Sequence, residues 1–186
     1  MSNRKQEILH TAIEIVADEG YAGLSMRALA RASGMKLGAL QYHFRTAEAM
    51  LRELVAYIAA EYEKAFEALR VDGESLTVRD IAIFVLDDSA GEPLMGDRLW
   101  PQLWAMQQVE PLVADLVDDV YAGYLSVMQQ ALKDAGSDAS IAEALCLMSL
   151  LEGETLFTGR GRRWASERQA VRASVLAFID ARYPSQ

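Results

Sequence analysis

Apolar residues recur along most of this chain at intervals of three and four positions, the spacing that places them on one face of an α-helix. The pattern predicts about nine helices, near residues 4–19, 26–32, 36–43, 47–69, 77–88, 99–108, 111–134, 140–158 and 166–183. The alternating β-branched runs that are typical of strands are absent, and the chain contains only four prolines. The sequence therefore predicts an all-α protein.

Residues with N-cap character precede several of these predicted helices. They are Ser25, Thr46 and Thr77, together with two capping-box patterns, Ser140 with Glu143 and Ser166 with Gln169. In the sixth helix, Pro101 is predicted to lie in the first turn, where its missing N–H costs least.

The segment from Ser25 to Phe44 has the pattern of a helix-turn-helix. Gly34 supplies a position that can adopt a positive φ between two short helices. Ala30, four residues earlier, allows the helices to approach closely, and Leu40 can fill the space between them. Such a unit can lay its second helix in the major groove of DNA, whereas the alternative is an ordinary helical hairpin in a helical core.

A DNA-binding role would assign two groups of side chains. The first lies at amino-terminal and outward positions of the third helix and would face the groove: Lys36, Leu37, Gly38 and Gln41. Gln41 could read adenine, Lys36 could reach a guanine or a phosphate, and Gly38 would let the backbone approach the DNA. The second group is expected at phosphates, where it fixes register: Ser25, Tyr42 and His43.

Further motifs lie before and after this unit in the sequence. They are the apolar first helix (Ile8, Leu9, Ala12, Ile13, Val16), the exit Glu19-Gly20-Tyr21, the run Leu24-Ser25-Met26-Arg27, and Tyr42-His43-Phe44 followed by Glu48 and Leu51. From about Arg4 to Glu53, this combination resembles the amino-terminal domain of the TetR family of transcriptional repressors. The resemblance covers about a quarter of the chain.

The resemblance carries several implications for function. It implies a homodimer formed through the last two helices, a cavity in the middle helices that a small effector enters, and a contact of Arg27 with a base or a phosphate. The family usually has a phosphate-contacting lysine at the start of the fourth helix, where this chain has Ala47. Arg45 or Arg52 could supply the missing charge.

Charge is divided unevenly along the chain. Residues 1–52 contain seven Lys/Arg and five Asp/Glu, a balance of +2, whereas residues 53–186 have a balance of −11 within a total of −9. Phosphate contact depends on local Lys and Arg, so the acidic total does not exclude DNA binding. We predict a helix-turn-helix DNA-binding domain over residues 1–46 and a helical effector-binding and dimerisation domain over 47–186.

Apolar faces on the last two predicted helices are typical of a helical bundle that two subunits could share. The candidate dimer residues are Leu145, Val171, Val175 and Phe178; packing within one subunit is the alternative. An effector pocket is predicted between the fourth helix and the sixth to eighth helices, lined by some of Trp100, Trp104, Tyr121, Tyr124, Met148 and Phe157. Polar groups that could orient a ligand include Gln102, Gln107, Glu110, Glu152 and Glu154, and an aromatic, acidic pocket would suit a cationic or amphipathic ligand.

Other kinds of site find little support. One cysteine, Cys146, and two distant histidines offer no metal-ligand set, and no glycine-rich phosphate loop follows a strand. No cofactor, metal or membrane partner is expected, and the single cysteine is typical of the reducing cytoplasm. The sequence favours a ligand-responsive repressor without enzymatic activity, with double-stranded operator DNA, a small apolar or amphipathic effector and a second copy as partners. The alternative is a helical small-molecule carrier or enzyme whose amino-terminal hairpin is only structural.

Overall fold

The computed structural model describes residues 3–69, 76–87, 94–138 and 141–184, and every regular element in those ranges is helical. The α-helices are α1 (Asn3–Glu19), α2 (Met26–Ala32), α3 (Leu37–His43), α4 (Ala47–Leu69), α5 (Val78–Leu86), α6 (Gly96–Met106), α7 (Pro111–Asp134), α8 (Ile141–Thr158) and α9 (Arg168–Arg182). Two short 3-10 turns, Tyr21–Gly23 and Ala165–Glu167, precede α2 and α9. The predicted all-α fold is confirmed.

Three of the predicted N-caps are present. Ser25 accepts a hydrogen bond from the Ala28 N–H at 3.1 Å, and Thr46 accepts one from the Ala49 N–H at 3.0 Å. Thr77 forms a full capping box with Asp80 at the start of α5. Each cap satisfies a backbone donor that the first helical turn leaves without an intrahelical partner.

Two local predictions are wrong. Ser166 does not cap α9, because a 3-10 turn precedes that helix and makes Glu167 the N-cap, with no side-chain cap hydrogen bond. Pro101 lies inside α6, because that helix begins earlier than predicted, with Met95 as its N-cap. The predicted cap at Ser140 lies outside the described residues.

The chain divides into two compact units. Unit 1 comprises Met1–Tyr62 and Gly91–Asp118, and unit 2 comprises Glu63–Ala90 and Asp119–Gln186. Each has its own buried apolar residues, among them Ile8, Leu9, Leu29, Leu40 and Leu103 in unit 1 and Ile81, Met128, Leu132 and Ile179 in unit 2. The predicted boundary between residues 46 and 47 concerns function and stays a prediction. None of the described helices is long and apolar enough to cross a membrane.

Candidate nucleic-acid interface and effector site

The connection between α2 and α3 begins with a glycine in the left-handed conformation, directly after the C-cap of α2. Gly34 has a φ of +65°, which glycine adopts without steric cost. Its N–H donates to the Arg31 carbonyl at 3.1 Å, and the Met35 N–H donates to the Ala30 carbonyl at 2.8 Å. These two bonds define a Schellman motif, which satisfies the last carbonyls of α2 and turns the chain sharply into α3. The predicted role of Gly34 is confirmed.

Packing beneath this turn fixes α3 against α2. Leu29, Leu40 and Phe44 are at most 1% exposed, and Ala30 is 3% exposed. Leu40 is therefore a buried apolar contact of α3, as its spacing after Gly34 predicts. Because α3 buries its Leu40 side, its other side faces outward.

Helices α1 and α4 brace this unit through named contacts. Arg4 on α1 donates from Nη2 to the Ser33 carbonyl at the end of α2, at 3.0 Å. Lys5 bridges to Glu53 on α4, with 2.6 Å between Nζ and Oε1. The same ammonium lies 5.4 Å from the centre of the Phe44 ring, within the range of a cation–π contact.

The outward surface of α2 and α3 carries two cations and one amide. Arg27, Lys36 and Gln41 are exposed. Among the described residues, neither Arg27 nor Lys36 makes an ion pair. Side chains in this state can accept a phosphate or a base edge without breaking an existing contact. The predicted positions of these three residues on an open surface agree with the structure, and their contacts with DNA stay a prediction.

Gly38 lies within α3 and is not required by packing inside the protein. A Cβ atom built at this position would meet nothing within 4 Å. Glycine inside a helix costs about 0.5–1 kcal/mol relative to alanine, so a residue with no internal purpose there is notable. Close approach of another molecule to the α3 backbone would explain it.

The remaining predicted contacts occupy the two ends of this surface. Tyr42 is 88% exposed, an unusual state for a large aromatic side chain, and its ring lies edge-on to that of His43. Leu37 and His43 are half-buried. The Ser25 oxygen is engaged as the α2 cap, but its hydroxyl hydrogen can still donate to an acceptor outside the chain.

The residues predicted to bind an effector fall into two aromatic clusters. In unit 1, the Trp100 ring lies 5.3 Å from that of Tyr62 and 6.4 Å from that of Trp104. In unit 2, the Tyr124 ring lies 6.4 Å from that of Tyr121 and 6.2 Å from that of Phe84. We call the first the tryptophan cluster; it is buried at Tyr62 and Trp100 and partly exposed at Trp104.

The last two predicted effector residues differ in exposure. Met148 is buried in unit 2, whereas Phe157 is 56% exposed and contacts the exposed ring of Trp164. Whether any of the six residues binds a ligand stays a prediction.

Two carboxylates that could have oriented a ligand are engaged with protein groups. Glu110 accepts a short hydrogen bond from the Tyr21 hydroxyl. Burial and this carboxylate raise the pKa of Tyr21 to about 12. Glu154, buried in unit 2, accepts from the Thr158 hydroxyl and lies 3.2 Å from Nε of Arg168. Sequence reasoning missed these partners because they come from other turns or helices.

The candidate dimer residues show two kinds of environment. Leu145 is 48% exposed and Phe178 54% exposed. Val171 is half-buried, and Val175 is buried within unit 2. On α8, Ile141 and Leu150 are further large apolar residues that are exposed.

A family model for bacterial regulatory proteins of the tetR family matches residues 8–54. The transcriptional regulator BetI of Ectopseudomonas mendocina is 27% identical over 87% of this chain and 89% of its own length. The regulator UidR of Escherichia coli is 23% identical over 74% of this chain and 69% of its own length.

The fold also matches a solved structure. A transcriptional regulator from Saccharomonospora viridis, crystallised in complex with choline, superposes with a TM-score of 0.76 at 20% identity. The match covers 97% of each chain. At this identity the likeness shows the fold alone.

Proposed function

Because the chain belongs to the TetR family of bacterial regulatory proteins, we propose that it represses transcription by binding a palindromic operator as a homodimer under control of a small effector. The observation that carries this proposal is the open outward face of α3. That face combines an exposed Lys36, which makes no ion pair within the described part of the chain, and an exposed Gln41 with an open backbone at Gly38. The relatives named above are transcriptional regulators, so we assign this chain no catalytic step.

The DNA-binding test uses the region upstream of the protein's own gene and a scrambled duplex of equal length. Wild-type protein should prefer the upstream region, with an affinity that falls steeply as salt rises. Gln41→Ala should lose about 1–3 kcal/mol on the preferred site and little on the scrambled duplex, since Gln41 is assigned to a base edge. Gln108→Ala, an exposed glutamine of unit 1 outside this surface, is the matched control.

Two outcomes would reject this assignment. Wild-type protein that binds both duplexes equally would favour a structural role for the hairpin, as in a carrier or enzyme. If Gln41→Ala lowers the affinity for both duplexes equally, Gln41 does not read a base and contacts a phosphate instead.

The homodimer proposal rests on apolar side chains that the single subunit leaves open. Leu145 on α8 and Phe178 on α9 are about half exposed, and large exposed apolar patches mark interaction sites. Small residues accompany them: Ala142, Ser149 and Gly153 on α8, and Ala170, Ala173, Ser174, Ala177 and Ala181 on α9. A Cβ at Gly153 would meet nothing within 4 Å, so its own subunit does not require a glycine there.

A second copy fits these observations best, because helices that carry small residues can pack closely against their own symmetry mates. Val175 would then support the interface from beneath, since it packs within its own subunit. A two-fold dimer would present two copies of α3 to half-sites roughly 34–36 Å apart, which is why a palindromic operator is proposed.

Sedimentation measures this proposal directly. Wild-type protein should sediment as a dimer at micromolar concentration, and Leu145→Glu or Phe178→Arg should shift it toward the monomer, since each places a charge in an apolar seam. Val109→Glu is the matched control, because Val109 is 67% exposed and belongs to unit 1. A monomeric wild type, or equal behaviour of all three variants, would reject the interface.

The tryptophan cluster suggests an effector class. Tyr62, Trp100 and Trp104 offer aromatic faces within one unit, and such faces attract cations, quaternary ammonium groups above all. The fold-sharing regulator from Saccharomonospora viridis was solved with choline. We therefore propose that the effector carries an organic cation and that Trp104, the partly exposed member of the cluster, contacts it.

Fluorescence can test this class with two probes. The chain has three tryptophans, and Trp164→Phe would leave only Trp100 and Trp104 as reporters. Choline should change their emission, and its neutral isostere 3,3-dimethylbutanol should not. Trp104→Ala should weaken choline binding roughly 2- to 30-fold, the range of a cation–π contact. Equal responses to choline and the isostere would exclude charge as the recognised feature.

A further inference from the structure

Helix α6 has two opposite functional sides within unit 1. Trp100 and Trp104 are four residues apart and belong to the tryptophan cluster. Arg98 and Gln102 are also four residues apart, and each is offset by two positions, or about 200° around the helix, from a tryptophan. One side of α6 is therefore aromatic, and the other is polar.

The polar side of α6, together with the residue that precedes α7, contacts the carboxyl-terminal end of α1 and the turn that follows it. Arg98 forms an ion pair with Asp18 on α1. The Gln102 side chain lies so close to Gly20 that a Cβ there would sit 3.2 Å from its oxygen. Glu110, just before α7, accepts a hydrogen bond from the hydroxyl of Tyr21. These contacts bridge 80 to 89 residues of sequence and come from one short segment of chain.

The beginning of α6 is strained. Met95, its N-cap, has a φ of +56°, which is rare for a residue other than glycine. The Met95 sulfur accepts a hydrogen bond from Arg98, the same side chain that binds Asp18. Pro101 removes one backbone hydrogen bond inside the helix. Backbone strain of this kind is found most often at active sites, ligand clamps and switch regions.

We propose that Asp18–Arg98 and Tyr21–Glu110 form a two-point latch by which residues 98–110 position the DNA-binding helices and pass ligand occupancy at Trp104 to α1 and the turn that follows it. This inference rests on the proposed function, because it assigns a path to the effector response. Arg98 and Glu110 are assigned as positioning residues, since they act through Asp18 and Tyr21. A latch of two weak links suits this task, since a ligand with modest differential affinity can release it.

Hydrogen exchange tests the latch without operator or effector. Amide exchange of residues 18–44 is followed by mass spectrometry in wild type, Tyr21→Phe and Arg98→Gln. Each variant removes one link and keeps most of the side-chain bulk. Arg79→Gln is the matched control, because Arg79 forms a similarly exposed ion pair with Asp180 in unit 2. Trp104→Ala, alone and combined with each latch variant, perturbs the aromatic side of α6.

The latch predicts a specific pattern. Tyr21→Phe and Arg98→Gln should each speed exchange in α2 and α3 roughly two- to fivefold, and Arg79→Gln should not. Trp104→Ala should speed the same exchange in wild type and have less effect once a link is gone. Unchanged α2 and α3 exchange in both latch variants would overturn the proposal, and so would additive effects of Trp104→Ala. If the wild-type protein does not bind DNA, the proposed function is rejected. The exchange pattern is measured without DNA and would still test the latch separately.

Discussion

Arg52 and Glu48 lie one turn apart on α4, with Nη2 of Arg52 2.9 Å from Oε1 of Glu48. The guanidinium that could replace the missing lysine at Ala47 therefore already has an anionic partner. Arg45, two residues before α4 begins, is exposed and has no ion pair among the described residues. Arg45 is thus the better candidate for the phosphate contact.

Replacement of these two arginines should separate their roles. Arg45→Ala should lower the slope of log affinity against log salt by about one phosphate contact, and Arg52→Ala should change it less. The measurement is a titration of operator DNA at several salt concentrations. A larger change of slope in Arg52→Ala would assign the contact to Arg52 instead.

Gly38→Ala should have opposite effects on folding and on DNA binding. The added methyl meets no atom of the described residues within 4 Å, so the free energy of unfolding should rise by about 0.5–1 kcal/mol. If the α3 backbone approaches DNA at this point, operator affinity should fall. Urea unfolding and DNA titration of the same sample check both effects. Higher stability with unchanged affinity would show that Gly38 does not face the DNA.

Arg168→Ala should destabilise unit 2 more than its exposure suggests. It removes the cation beside Glu154, whose side chain is only 3% exposed, and a hydrogen bond to a charged group contributes about 1.5–3 kcal/mol. Urea denaturation should show a loss in this range, and Glu154→Gln in the same background should restore part of it. Arg160→Ala, at an exposed arginine with no ion pair among the described residues, is the control.

Tyr183→Phe should flatten the pH dependence of stability at both ends. Hydrogen bonds from Ser137 and then from Tyr183 lower the pKa of Glu143, so this contribution is lost as pH falls below about 4.5. Burial and Glu143 raise the pKa of Tyr183 to about 12, so that contribution is present below pH 10 and is lost as pH rises toward 12. Urea unfolding between pH 3 and 12 checks this. Parallel curves for variant and wild type would contradict it.

Features that depend on neighbouring residues were predictable from the sequence. Gly34 follows the end of α2 directly, so its turn geometry could be inferred from local rules. The same is true of the caps at Ser25, Thr46 and Thr77. Helical spacing likewise predicted that Leu40 is buried. Local patterns failed at Ser166 because a 3-10 turn competes with the capping box, a choice that tertiary packing decides.

Contacts between distant residues were not predictable in this way. Arg98 forms an ion pair with Asp18, which is 80 residues away in the sequence, and Glu110 accepts a hydrogen bond from Tyr21, which is 89 residues away. No periodicity specifies these pairs, because each depends on how residues 98–110 pack against α1 and the turn that follows it. The sequence therefore indicated that Glu110 could orient a ligand but not that its carboxylate accepts a hydrogen bond from Tyr21.

The half-exposed Leu145 and Phe178 link the folding of this protein to its abundance. If a second copy covers them, association adds to the stability of the folded chain by mass action, and dilution removes that contribution. A cell that makes few copies would then lose dimers and folded subunits together. Operator occupancy would fall more steeply than copy number, and expression of the regulator would itself become a control on the genes it governs.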